Sequence, residues 1–208
     1  MNYSTLVQAI KDYTENTETT FVNNIDTFIG QAEERILFDV DLPVFHKNVT
    51  GSITSGNSYL TKPSDFLTAY SLAVVDSGNS YTYLLPKDVS FIREYSPDTD
   101  TTGVPKYYAH FNDNSFILSP KPNATLTAEL HYKFKPTQIS SSNTTTWLGD
   151  NASTALLYGC LMEAYTFMKG EVDMLQLYEG RYTGALRGVQ KIGQHDDQRD
   201  WYRNGSGA

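Results

Sequence analysis

The stretch 125-TLTAELHYKFK-135 alternates with a period of two along its whole length. Leu126, Ala128, Leu130, Tyr132 and Phe134 share one side, with Thr125, Thr127, Glu129, His131, Lys133 and Lys135 on the other. Successive side chains of an extended chain point to opposite faces, so the pattern predicts a strand with one face in a core and one in water. An antiparallel sheet allows that arrangement, whereas an all-parallel sheet is covered on both faces.

Working outward, residues 44–136 share this β-like texture, with Thr, Val, Tyr and Gly/Asn turns throughout. Asn48–Thr54 and Ser58–Leu60, separated by Ser55-Gly56-Asn57, read as a hairpin. Phe66 opens a mainly apolar run to Val75, the turn Asp76-Ser77-Gly78-Asn79 follows, and Tyr81–Leu85 reads as the returning strand. Asp88–Tyr95 reads as a short helix that Asp88 caps and Ser96-Pro97 ends. Beyond the polar loop Asp98–Val104, strands at Lys106–Phe111 and Ser115–Leu118 flank Asn112-Asp113-Asn114.

Both flanks change to helical periodicity. Leu6, Val7, Ile10 and Tyr13 recur at helical spacing after a Ser4 or Thr5 cap. From about Thr20 to Phe38, the residues Phe21, Ile25, Phe28, Ile29, Ala32 and Ile36 form one apolar stripe, closed by Leu42-Pro43. After the Ser/Thr/Asn-rich residues 137–149, a helix is expected from about Ala152 to Lys169, capped by Asp150 or Asn151 and burying Leu156, Leu157, Cys160, Leu161, Ala164, Tyr165 and Met168. Gly170 ends it, and a further helix carries Leu175, Tyr178, Tyr182, Leu186 and Val189 as far as Gly193. The expected fold class is α+β: a helical bundle formed by N- and C-terminal helices, a large antiparallel β-rich insertion, and an extended C-terminal arm. The corresponding segments are 1–43, 44–136, 137–192 and 193–208.

Composition narrows the function. The 208 residues are 39% hydrophobic, 13% aromatic and only 19% charged, which describes a folded chain. Lys and Arg number 16 against 24 Asp and Glu, a net charge of −8 that argues against a broadly electropositive nucleic-acid binder. No apolar run approaches the length of a membrane span, and Met-Asn-Tyr-Ser-Thr at the start lacks the basic and apolar parts of a secretion signal. Synthesis in a cytoplasm and no membrane partner are therefore expected.

No catalytic motif stands out. The chain has no phosphate-binding glycine loop and no metal-protease histidine pair, and its one cysteine, Cys160, lies in an apolar helical stripe. The carboxylate pairs Glu33-Glu34, Asp39/Asp41, Asp98/Asp100 and Asp196-Asp197 fall on expected helix exteriors, loops or the tail, where solvated charge is ordinary. Neither a cofactor nor a metal is expected, and the chain is read as a non-enzyme. The tail is different: Trp201 and Tyr202, bracketed by Arg199 and Arg203, are residue types enriched at interface hot spots. These four are the candidate partner-binding residues.

Four strings carry a resemblance: YTENTETTFVNNIDTFIGQAEERI (13–36), LPVFHKNVTGSITSGNSYLTKPSDFL (42–67), LPKDVSFIREYSPDTDTTGVPKYYAHF (85–111) and TTWLGDNASTALLYGCLMEAYTFMKGEVDMLQLYEGRY (145–182). Together they resemble the head-to-tail adaptor family of short-tailed and related tailed bacteriophages. The resemblance implies a helical bundle with a β-rich lobe. It also implies self-association into a ring, typically a dodecamer, under the portal protein at the capsid–tail junction of the virion. The ring would offer a surface to tail nozzle, tail tube or fibre proteins and continue a channel through which DNA passes without being specifically bound. A C-terminal arm would reach the portal, and residues 192–208 match that part by position and character. Alternatives are a neck or head-completion protein in the same stack, and a tail-associated protein whose Tyr-rich β region binds or hydrolyses glycan.

Overall fold

The computed structural model describes residues 1–98 and 100–197. In chain order it contains α1 (Tyr3–Thr14), α2 (Thr19–Asp39), β1 (His46–Ile53), β2 (Tyr59–Thr61), β3 (Phe66–Val75), β4 (Tyr81–Tyr83), β5 (Leu85–Pro86), α3 (Val89–Tyr95), β6 (Thr102–Gly103), β7 (Tyr107–Asn112), β8 (Ser115–Ser119), β9 (Lys121–Pro122), β10 (Leu126–Phe134), α4 (Trp147–Asn151), α5 (Ser153–Met168) and α6 (Val172–Asp197). The chain divides into a helical unit, Met1–Val44 with Pro136 onward, and a β unit, Phe45–Lys135. The fold is α+β, with helices from both ends of the chain and a β-rich insertion between them. Eight of the 16 basic and eight of the 24 acidic residues lie in the β unit, which is therefore neutral. The whole net charge of −8 belongs to the helical unit.

In the helical unit the cap of α1 is Asn2, not Ser4 or Thr5. Its side-chain oxygen accepts from the Thr5 N–H at 2.9 Å, satisfying one of the donors a helix start leaves open. The expected stripe of α2 is buried in full, and the helix stops at Asp39, before Leu42-Pro43. Helix α5 packs against α1, α2 and α6, which explains why Ala155, Leu156, Leu157, Gly159, Cys160, Leu161, Met162 and Ala164 are all buried. The expected Tyr165 and Met168, in its last turn, are only partly buried. Asp150 and Asn151 do not cap α5. They belong to α4, whose start is capped by the Thr146 hydroxyl accepting from the Gly149 N–H at 3.3 Å, and α5 follows Ala152 directly.

Helix α6 buries Tyr178, Tyr182, Leu186 and Val189 and runs through Gly193 to Asp197. The first residues of the expected arm, 193–197, are thus helical. A glycine inside a helix costs only about 1 kcal/mol relative to alanine, and no proline follows to enforce a stop. Arg199, Trp201, Tyr202 and Arg203 lie outside the described residues.

In the β unit, β1-β10-β3-β4 form one antiparallel sheet and β2-β8-β7-β5 a second. The alternating stretch became β10, hydrogen-bonded on both sides, from His46↔Lys133 to Ile53↔Leu126 with β1 and from Thr127↔Val75 to Phe134↔Phe66 with β3. Ile53, Leu72, Val74, Leu126, Ala128, Leu130 and Tyr132 from the first sheet meet Leu60, Tyr108, Phe116 and Leu118 from the second in one core. Helix α3, capped by Asp88, packs Ile92 against Ala109 and Ile117 of the second sheet.

Three expectations are corrected. The proposed hairpin does not form: β1 pairs with β10 and β2 with β8, in different sheets. The turn itself forms, closed by the Asn57 N–H donating to the Thr54 carbonyl at 3.1 Å with Gly56 at φ +76°, but it does not pair β1 with β2, because Ile53 and Leu60 are drawn into the core from different sheets. The returning strand divides, with β4 ending at Tyr83 and Leu85–Pro86 pairing with β7 in the second sheet. The insertion is not wholly antiparallel, since β5–β7 and β6–β9 are parallel pairs. Period-two patterning identifies strands but does not assign their neighbours.

Candidate interaction surface

The outward side of β10 builds a continuous polar face. Register places Thr50, Glu129, Ala73 and Tyr83 in one row across β1, β10, β3 and β4, and Asn48, His131 and Ser71 in the next. Glu129 is the hub. Its Oε1 accepts from His131 Nε2 at 3.0 Å and lies 3.5 Å from Asn48 Nδ2, while its Oε2 accepts from the Tyr81 hydroxyl at 3.1 Å. These bonds, His131's first, hold the Glu129 carboxyl below its usual range, and the same carboxylate raises the Tyr81 phenol. One side chain thereby fastens both edge strands to the sheet centre.

A second pair stands at the bulge of β3. Ser71 pairs with His131 and Ala69 with Tyr132, so Tyr70 is the extra residue. Its hydroxyl lies 2.6 Å from His46 Nε2, with the two rings 4.2 Å apart. Tyr70, Tyr81 and Tyr83 are exposed, and so is β1 from His46 to Ser52. Amphipathic aromatics with hydroxyl and amide neighbours suit polar recognition between proteins. Glu129 is already engaged by several donors.

One carboxylate from each of three carboxylate pairs holds local structure together, and the side chains of Asp196-Asp197 lie outside the described residues. Glu33, half-buried on α2, accepts from the Ile139 N–H at 3.2 and 3.3 Å, and burial pushes its carboxyl up to about 7 against the effect of that bond. Asp39 accepts from the Tyr182 hydroxyl at 2.8 Å. Asp98 turns back on the N–H of Asp100. Cys160 is fully buried, and burial raises its thiol far above the range of a reactive nucleophile. Among the described residues, no group of three or more His, Cys, Asp and Glu is placed to hold a metal ion, and no helix is long and apolar enough to cross a membrane.

A protein-family model described as SU10 adaptor protein matches residues 1–207. The chain belongs to the SU10 adaptor protein family. This is a head-to-tail adaptor family of phages, so the resemblance carried by the four strings is correct at that level. No curated protein matches the chain. The match spans both units, so the adaptor family accounts for the neutral β unit as well as the acidic helical one.

The adaptor's polar sheet face went unread in one dimension. Glu129 and His131 are visible on the wet side of the alternation, but Asn48 lies 81 positions from Glu129 and Tyr81 lies 48 positions away. The tyrosine count was the available signal: 15 Tyr against 10 Phe favours surfaces that are both aromatic and hydrogen-bonding.

Proposed function

We propose that the chain is a structural virion protein, a head-to-tail adaptor that forms a ring beneath the portal, joins capsid to tail and continues the DNA channel. The observation that carries this reading is the family match over residues 1–207. The polar aromatic face of the first sheet supports it, because a ring protein works through surfaces that fit other subunits. Charge supports it too: −8 per copy, all in the helical unit, disfavours phosphate binding, so DNA passes without being held. Tail nozzle, tail tube or fibre proteins dock on the ring, and the C-terminal arm with Arg199, Trp201, Tyr202 and Arg203 grips the portal.

Imaging of the virion tests the reading, with a rotationally symmetric collar of this chain under the capsid vertex as the expected result. Truncation after Asp197 is expected to leave a folded chain that no longer sediments with the portal. A virion lacking the chain at that junction overturns the proposal, as does glycan turnover abolished by one carboxylate change. Copurification with tail components in place of the portal would assign the chain elsewhere in the stack.

A further inference from the structure

The first sheet has two open edges. Its order is β1-β10-β3-β4, and among the described residues nothing pairs with the outer side of β1 from Lys47 to Ser52 or with that of β4. Open edges offer unpaired main-chain donors and acceptors, and proteins ordinarily blunt them with proline or charge. Here the only charged residue on these edges is Lys47, at one end of β1 and held by Asp65 at 2.7 Å, while Asn48–Ile53 and Tyr81–Tyr83 contain no charged residue and no proline.

The two edges also match in direction. Each neighbouring pair in this sheet is antiparallel, and an even number of alternating strands leaves β1 and β4 running in opposite senses. A second copy, rotated but not inverted, therefore meets β1 with its own β4 already antiparallel. Such a contact is head-to-tail, the kind that closes into rings. The pleat agrees as well. Asn48, Thr50 and Ser52 share the outward face with Tyr81 and Tyr83, so in register Thr82 falls opposite Val49 or Gly51. Gly51 has open space where a Cβ would stand. Tyrosines beside Thr50 make the aromatic–β-branched pairs that stabilise sheets.

Charge says which part of the molecule meets its copy. Helical units at −8 each repel one another, whereas β units with eight charges of each sign approach without that penalty. We infer that neighbouring copies join by β-strand addition, the β4 edge of one copy pairing with the β1 edge of the next, so that the first sheets run on around the ring. The inference rests on the ring reading above and adds its contact.

The test is disulfide trapping in virions carrying Thr82→Cys together with either Val49→Cys or Gly51→Cys. Directly opposed residues of an antiparallel pair have Cα atoms about 4.5–5.5 Å apart, within disulfide reach. One of the two double variants is expected to convert most of the chain to a ladder of multimers on a non-reducing gel, while each single variant stays monomeric. The native Cys160 is buried and does not contribute. An intact collar with no cross-link in either double variant overturns the strand pairing and leaves the adaptor reading standing. Cross-linked rings absent from the capsid–tail junction do the reverse. Virions with no collar and no cross-link overturn both.

Discussion

The Tyr182 hydroxyl donates to Asp39 Oδ2 at 2.8 Å, tying the middle of α6 to the last residue of α2 across 143 positions of sequence. Tyr182 is buried, and its phenol is raised by burial first and by this bond second. The contact joins the two helices flanking α5, the most enclosed element of the helical unit.

Removing the hydroxyl leaves the ring in place and deletes one charge-assisted bond. Tyr182→Phe is expected to lower unfolding free energy by about 1.5–3 kcal/mol, the range for hydrogen bonds to charged groups. Urea denaturation of the two proteins measures it, and an unchanged midpoint would show that water replaces the bond at no cost.

Glycines on neighbouring helices should respond in opposite directions. A Cβ at Gly159 would stand 3.1 Å from the Ala32 Cβ and 3.6 Å from a Tyr182 ring carbon, so α2 and α5 approach closely there. Gly159→Val is expected to cost about 1–3 kcal/mol through overpacking. Gly184 on α6 is exposed with nothing near its Cβ position, and Gly184→Ala is expected to gain up to about 1 kcal/mol from helix propensity. Thermal melts of both variants separate close packing from a general intolerance of substitution.

Glu33 sets a pH dependence of known sign. Its folded carboxyl titrates near 7, above the ordinary 4.5, because burial disfavours the charged form. The contribution is fully present below pH 4.5 and is lost as pH rises through 7. Glu33→Gln keeps an acceptor for Ile139 and removes the ionisation. The melting-temperature difference, variant minus wild type, is expected to grow between pH 5 and pH 8, and a flat difference would contradict the assignment.

Glu129 should govern the sheet edges. Glu129→Ala removes the acceptor shared by Asn48, Tyr81 and His131. Amide exchange is expected to speed up in β1 and β4 while the core strand β8 stays protected. Uniform acceleration across the β unit would mean that the carboxylate supports the whole sandwich.

Much of this was legible in one dimension. Apolar stripes such as Phe21, Ile25, Phe28, Ile29, Ala32 and Ile36 are local, and burial in the folded chain follows them residue by residue. The same holds for the alternation of β10, and for Asp88 as a cap. The failures share a cause. Ser55-Gly56-Asn57 announces a change of direction, but whether β1 folds back on β2 or crosses to β10 depends on where Ile53 and Leu60 find apolar cover. Gly193 looks like a helix end, yet α6 continues past it.

Periodicity and composition were sufficient for most element types, buried faces and net charge, because each depends on neighbours a few positions apart or on a simple count. The family came from the likeness of four strings and the match over residues 1–207. The partners of β1, the Glu129 hub, the Tyr182–Asp39 bond and the raised carboxyl of Glu33 emerged only on folding. Each depends on groups brought together from distant positions, and on the loss of water that close packing around them imposes.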